Sequence, residues 1–209
     1  MLSSLPPRLR LWRLPVPWRQ GDAGAVADQY AERGSRFWFS VDGDGDGVRG
    51  ILTDSPSIEI LPAPPASLQL HLPSTVRAGE TAMVTLALVD HIGNGFVSFE
   101  GELLLQSDRR WPGLPERVAL NAADQGKTQI PLLIALDAPI GTLRVAAAAV
   151  GTCTQRGLGQ EDPEVFEVGG EGRELFALSN PMRILEPDST SPSVLWADLH
   201  GHSNLSDGT

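Results

Sequence analysis

The chain has 209 residues, 41% of them hydrophobic, and a formal net charge of −10 at pH 7. This length fits one large domain or two small ones, and the apolar fraction is sufficient for a core, which argues against wholesale disorder. The negative charge argues against nucleic acid as a partner, and no segment approaches the roughly 18 apolar residues of a membrane span.

Neither the start of the sequence nor its cysteine content fixes the compartment. Arg8, Arg10, Arg13 and Arg19 make the first 20 residues basic, with no acidic residue among them. Prolines interrupt this segment and no apolar core of roughly 7–15 residues follows, so it lacks the pattern of a targeting peptide. We interpret it as an irregular lead-in, or as the result of a start codon placed inside an older domain. Cys153 is the single cysteine, which excludes an internal disulfide and leaves the cytoplasm as the default compartment.

The elements predicted along the chain are mostly strands. The 22 glycines and 17 prolines favour many short strands joined by turns over long helices. One short helix is predicted at 23–33. Alternating or β-compatible apolar residues predict strands at 36–41, 68–72, 82–89, 101–106, 129–136 and 142–150. The four consecutive alanines at 146–149 weaken the last of these.

Two proline-rich stretches, LPAPPAS at 61–67 and EPDSTSPS at 186–193, divide the chain. Each follows a phrase in which a proline begins a run that ends in Ile-Leu, as the last strand of a module would. Turn signals between the two stretches recur at the spacing typical of a β-sandwich. We therefore predict an irregular lead-in and partial β-module at 1–63, an immunoglobulin-like β-sandwich at 64–186 and a linker at 187–193.

Asp42, Asp44 and Asp46 in VDGDGDGVRG resemble the opening of a calcium loop. Oxygen donors stand at alternate positions, and Gly47 allows a sharp turn. A full EF-hand loop would place Glu at its twelfth position, where this sequence has Thr53. The stretch also joins two strand-like runs rather than two helices. An acidic hairpin turn is therefore the better interpretation.

Two isolated histidines and one basic-aromatic cluster complete the candidates in the sandwich. His71 falls on the polar phase of a strand and His91 lies in a turn, so we expect both to be solvated and give them no role. Arg109, Arg110 and Trp111 would suit a small binding patch, but a loop tryptophan more often packs against its own module.

The final segment, LWADLHGHSNLSDGT, has the strongest chemical signal. A strand over 194–199 would alternate its side chains with period two. One face then carries Trp196, Asp198, His200 and His202. If this is the first strand of a β/α barrel, both imidazoles point into the mouth of the barrel, where such folds place their chemistry. Two imidazoles can bind one divalent ion, Asp207 can add an oxygen ligand, and Asp198 can orient an imidazole.

The phrases DLHGHS at 198–203 and SDG at 206–208 resemble the first motif of the polymerase and histidinol phosphatase (PHP) superfamily. WADLHG after β-sandwich modules is also similar to a large bacterial family with a PHP-like carboxy-terminal domain. The resemblance implies a distorted β/α barrel with up to three metals, usually zinc, manganese or iron, that activate water against phosphoesters. It implies that His200, His202 and Asp207 are the first three metal ligands. Residues 194–209 would then begin a PHP-like domain whose later His, Glu and Asp motifs are absent from these 209 residues.

Three functional interpretations follow. The first is the amino-terminal fragment of a PHP-like, phosphoesterase-type hydrolase, with accessory sandwich modules and a missing carboxy-terminal barrel segment as its partner. Such a fragment would be inactive and would bind metal weakly or not at all, and only the full-length parent would act on a phosphoester. The second is a non-catalytic sandwich that binds a ligand or acts as a spacer, with a vestigial tail. The third is the start of an amidohydrolase-type barrel, which also begins with HxH after an apolar strand.

Overall fold

The computed structural model describes residues 29–109, 111–155, 162–169 and 174–192. This part of the chain is mainly β, and its only helical element is the single 3-10 turn Ala122–Asp124. No helix within it has the length and apolarity needed to cross a membrane. The strands are β1 (Glu32–Arg36), β2 (Ser40–Val41), β3 (Gly50–Ile51), β4 (Ser57–Ile60), β5 (Ser67–His71), β6 (Thr75–Arg77), β7 (Thr81–Val89), β8 (Phe99–Ser107), β9 (Arg117–Leu120), β10 (Lys127–Leu133), β11 (Gly141–Leu143), β12 (Val145–Gln155), β13 (Glu164–Val168), β14 (Leu175–Leu178) and β15 (Met182–Leu185).

Three sheets enclose one hydrophobic core. The first has the strand order β10-β7-β5, and the second has the order β13-β12-β8-β9 with β14 also paired to β12. In the third, β15 lies between β11 and β6. The pairing of β15 with β6 is parallel, with Ile184 opposite Val76, whereas the other strand pairs are antiparallel. The arrangement is compatible with a β-sandwich.

The core follows from the period-two alternation of the strands. Along β7 the side chains of Ala82, Val84, Leu86 and Leu88 are buried, each at most 1% exposed, and the residues between them are less buried until Val89. From the second sheet Phe99 and Leu103 enter the same core. Each fully buried side chain of this size contributes about 1.5–3 kcal/mol relative to its exposed state. The predicted strand at 82–89 is confirmed for this reason.

The alanine run does not end the strand that contains it. β12 continues through the alanines to Gln155, and Ala147 and Ala149 are almost fully buried. Ala147 is paired with Leu105 on one neighbour, and Ala149 with Leu103. Packing against such neighbours decides strand formation more strongly than the intrinsic preference of alanine.

The first described part of the chain forms two small separate sheets. β1 pairs with β4, with an irregularity in register between Glu32 and Ser35, and β2 pairs with β3 as a hairpin. The helix predicted at 23–33 is wrong in its last residues, because Glu32 and Arg33 belong to β1 and Glu32 pairs with Ile60 in a sheet. Residues 23–28 lie outside the described residues.

Candidate functional site

The metal ligands expected from the sequence, His200, His202 and Asp207, lie outside the described residues, as does Asp198. The last described residue is Pro192, inside the predicted linker. The structure therefore neither brings these four side chains together nor separates them, and their roles stay predictions.

Arg77 binds residues 189–191, which lie in the predicted linker just before the histidine motif. Its guanidinium donates hydrogen bonds from Nε to the carbonyl oxygen of Ser189 and from Nη2 to that of Ser191, each over 3.0 Å. The same group lies 3.8 Å from the carboxylate of Glu80, and that carboxylate accepts a 2.9 Å bond from the Arg77 backbone N–H. The predicted linker is thus bound to the end of β6, and the chain leaves the sheets from a defined place.

The acidic triad is the one group in the described part of the chain whose donors could together hold a metal ion. Ligand atoms of Asp42, Asp44 and Asp46 all lie within 4.8 Å of one another, and all three residues are exposed. Carboxylate oxygens are the ligands that hard cations such as calcium prefer. Thr53, at the twelfth position of the loop pattern, offers no carboxylate to complete the set.

The triad also closes the β2–β3 hairpin. Asp42 accepts backbone hydrogen bonds from Gly45 at 2.7 Å and Gly47 at 3.0 Å. Asp46 accepts a bond of 2.7 Å from the Val48 backbone. Gly47 has a φ of +88°, a conformation that favours glycine. The expected acidic hairpin turn is present, and its carboxylates satisfy the backbone of the turn.

A second acidic group, Asp90, was missed by the sequence analysis, which read the following residues only as a turn. Its side chain is 3% exposed and accepts four hydrogen bonds. Oδ1 accepts from the backbone N–H groups of Ile92 at 3.0 Å and Asn94 at 2.9 Å. Oδ2 accepts from the backbone N–H of Ala63 at 3.1 Å and from Nδ2 of Asn94 at 2.8 Å. An Asp-x-x-x-Asn spacing beside glycines was the signal that could have revealed this loop.

Asn94, which binds Asp90, also binds the first described residues of the chain. We call this set of contacts around Asp90 and Asn94 the junction. Its Oδ1 accepts a hydrogen bond from the backbone N–H of Ala31 at 3.0 Å, and its Nδ2 donates to the carbonyl oxygen of Gln29 at 2.9 Å. Phe96 adds a ring that lies 4.7 Å from the Lys127 ammonium and 5.6 Å from the Arg33 guanidinium. These contacts attach the amino-terminal strands to the loop between β7 and β8.

The electrostatics of Asp90 favour its ionised form. Burial raises the pKa of its carboxyl, but the hydrogen bonds from Asn94, Ile92 and Ala63 together outweigh burial and leave the pKa below its usual value. The carboxylate is thus a charged acceptor at neutral pH, with every oxygen occupied. It holds segments of the fold together and leaves no lone pair directed at open solvent for chemistry.

The remaining candidates lie where the simpler interpretations placed them. His71 and His91 are exposed. Trp111 is 6% exposed and belongs to the core, as expected for a tryptophan that packs on its own module. Arg109 donates a 2.8 Å bond to the carbonyl oxygen of Thr142, and Arg110 lies outside the described residues. No binding patch forms among those of these side chains that the structure describes.

A groove and a buried thiol are two further features of the described residues. A groove of about 620 Å³ runs between residues 63–66, His91 and residues 165–168, and its lining is mostly apolar. Cys153 is buried, and burial raises the pKa of its thiol, so the less nucleophilic protonated form is favoured. Neither feature assembles a nucleophile with a base.

Comparison with protein-family models finds no match for this chain, and comparison with curated proteins finds none either.

Proposed function

We propose that this chain is the amino-terminal, accessory part of a PHP-like metal-dependent hydrolase of the phosphoesterase type. The observation that carries the proposal is the phrase DLHGHS followed by SDG at the end of the sequence. An HxH pair alone is weak evidence, whereas this longer pattern with the aspartate at a fixed offset is much more specific. By itself the chain is inactive, because a metal centre needs its full ligand set.

The donor set fits the class of metal that such a site would hold. Two imidazoles and one carboxylate, from His200, His202 and Asp207, suit zinc, manganese or iron. When bound in a complete centre, the metal supplies the Lewis acidity that activates water against a phosphoester. The contribution of this chain is to provide these three ligands and, through Asp198, to orient one imidazole by a hydrogen bond.

The sheets support an immunoglobulin-like assignment for 64–186. β7 and β8 are consecutive in sequence but belong to different sheets, and β10 returns to pair with β7. Such crossings between antiparallel sheets over one core are typical of immunoglobulin-like sandwiches. In the proposed parent protein this module is a rigid support before the barrel.

The decisive experiment is to read the gene beyond codon 209. A frame that continues with further His, Asp and Glu motifs supports the proposal, and replacement of His200 by alanine in the longer product should then abolish phosphoesterase activity. A genuine stop codon directly after Thr209, with no neighbouring frame, contradicts the hydrolase assignment.

Calorimetry with zinc chloride tests the ligands in this chain. We expect weak binding that a His200→Ala, His202→Ala double variant abolishes, because three donors leave the coordination incomplete. A His71→Ala, His91→Ala double variant is the matched control and should bind as the unmodified chain does. Tight stoichiometric binding would show that the ligand set is already complete. Both chains are also measured with Asp42→Asn, Asp44→Asn and Asp46→Asn, which removes the acidic triad as a second source of binding; binding that survives the histidine double variant in this background would exclude the two histidines as ligands.

A non-catalytic spacer or binding module is the second candidate, and one observation favours it. Among the described residues, the hydrophobic core is continuous from Leu68 to Ile184 and joins strands of three sheets. This candidate predicts that deletion of 194–209 leaves the thermal midpoint unchanged. A large fall in the midpoint would count against it.

A further inference from the structure

The β2–β3 hairpin and its flanks, residues 37–53, carry large apolar side chains that are largely exposed; we name this segment the aromatic arm. Within the described residues, the Arg36 guanidinium lies 5.2 Å from the centroid of the Trp38 ring. None of residues 29–54 is buried. The exposed side chains of the arm are Phe37, Trp38, Phe39, Val41, Val48, Ile51 and Leu52, between 40% and 70% exposed. A two-stranded sheet is at best marginally stable alone, and a contiguous apolar surface of this kind marks a contact with another segment.

The pairing of β2 with β3 places several of these apolar side chains on one face of the hairpin. The backbone N–H of Leu52 donates to the carbonyl oxygen of Phe39 over 2.8 Å, one register step beyond the pair of Ser40 with Ile51. Strand parity therefore places Phe39, Val41 and Leu52 on one face. The Phe37 ring joins them, with its centroid 6.4 Å from that of Phe39. This face is continuous, aromatic and exposed.

The arm is also acidic. Asp42, Asp44 and Asp46 form its turn, and Asp54 follows it, while Arg49 is its one basic residue. All three carboxylates of the turn are exposed. A segment that covers the arm should therefore combine apolar and basic side chains. A second copy of the arm is a poor partner, because two acidic turns would repel each other.

We propose that residues 1–20 of this same chain cover the aromatic arm. This segment, which lies outside the described residues, has four arginines and no acidic residue. Its large apolar residues are Leu2, Leu5, Leu9, Leu11, Trp12, Leu14, Val16 and Trp18. In Arg8-Leu9-Arg10-Leu11 the two types alternate, so an extended chain presents leucines on one side and arginines on the other. The charge and the apolar content both complement the arm.

The connection between the two segments is short enough for this contact. Gln29 is held at the junction by the hydrogen bond from Asn94, and the arm begins only a few residues later in sequence. Residues 21–28 can span up to roughly 26 Å when extended, at about 3.3 Å per residue. A tether of this length keeps the segment at a millimolar effective concentration or above beside the arm, on the order expected for short linkers.

Paramagnetic broadening in the full chain tests the proposal. A nitroxide is attached at Ser4→Cys, and the native Cys153, which is 2% exposed, stays unlabelled. We expect amide signals of residues 38–52 to lose most of their intensity, independently of protein concentration. Arg8→Ser, Arg10→Ser and Arg13→Ser together leave the arm intact and should restore these signals.

The acidic turn is tested by an Asp42→Asn, Asp44→Asn, Asp46→Asn triple variant. It removes three charges, leaves each side chain an oxygen that can accept from the turn backbone, and should also restore the signals. The matched control removes three charges at exposed positions elsewhere, through Glu100→Gln, Asp137→Asn and Glu167→Gln, and should retain the broadening. The proposal is overturned by intact arm signals in the labelled chain, by broadening that is confined to other strands, or by broadening that grows with protein concentration. Persistence of the effect in the arginine variant also overturns it.

Discussion

The sharpest test of the fold is the replacement of Asp90 by asparagine. The two side chains have the same shape, but the amide keeps one oxygen where the carboxylate has two. If the amide oxygen takes the place of Oδ1, it keeps the backbone bonds from Ile92 and Asn94. The amide NH₂ then faces the Ala63 N–H and the Asn94 Nδ2, which are both donors.

The magnitude follows from those two lost bonds. Hydrogen bonds to a charged group contribute about 1.5–3 kcal/mol each. Asn94 cannot rotate its amide to compensate without giving up its bonds to Ala31 and Gln29. Partial relaxation of the loop makes the loss smaller than the sum of the two hydrogen-bond contributions. We therefore expect the free energy of unfolding to fall by about 2–4 kcal/mol. Urea denaturation at pH 7 measures this loss.

The pH dependence separates charge from shape. The pKa of Asp90 is below its usual value of 3.8 in the folded protein. Its contribution to stability is therefore complete above the unfolded-state pKa and is lost as pH falls through the lower folded-state value. The stability difference between the parent chain and Asp90→Asn should be constant from about pH 7 to pH 5 and should narrow below about pH 4.

Two results would refute this reasoning. An unchanged midpoint at pH 7 would show that the four hydrogen bonds contribute nothing net. A difference that is equally large at pH 7 and pH 3 would assign the loss to packing rather than to the carboxylate charge. Asp137→Asn, at an exposed carboxylate, is the control and should change stability by less than about 0.5 kcal/mol.

Two further substitutions test other long-range contacts. Asn180→Ala removes an amide that accepts from the Leu72 N–H at 2.9 Å and donates to the Leu72 carbonyl oxygen at 2.8 Å. Urea denaturation should show that the free energy of unfolding falls by about 1–3 kcal/mol. No change would mean that water replaces the amide. Gly151→Ala places a Cβ 2.7 Å from the Cα of Gly101 on the adjacent strand. We expect the free energy of unfolding to fall by about 1–3 kcal/mol because of this close contact. A variant as stable as the parent chain would show that β8 and β12 can move apart to make room.

The sequence predicted strands whose alternating side chains face a core and failed where distant partners decide. The strand predicted at 36–41 is interrupted at 37–39, between β1 and β2, where the aromatic side chains are exposed. The pattern in 82–89 identified β7, because half of its side chains face a core. The packing of Trp111 also followed from the apolar character of its ring. In contrast, Asp90 acts on Ala63, 27 residues away, and β6 joins β15 across more than a hundred residues. Local periodicity contains no information on such pairs. The helix predicted to end at Arg33 was wrong for the same reason, because the partner of β1 is the distant strand β4.

Two junctions between segments lie at opposite ends of β7. Arg77 precedes β7 and binds the linker, and Asp90 follows β7 and binds the amino-terminal part. The nine residues of β7 separate them by about 30 Å at roughly 3.3 Å per residue. Sites more than about 10 Å apart without shared partners act additively to within about 0.5 kcal/mol. We therefore expect an Arg77→Ala, Asp90→Asn double variant to lose the sum of the two single losses in urea denaturation. A coupling well above that limit would mean that the amino-terminal strands and the linker contact each other.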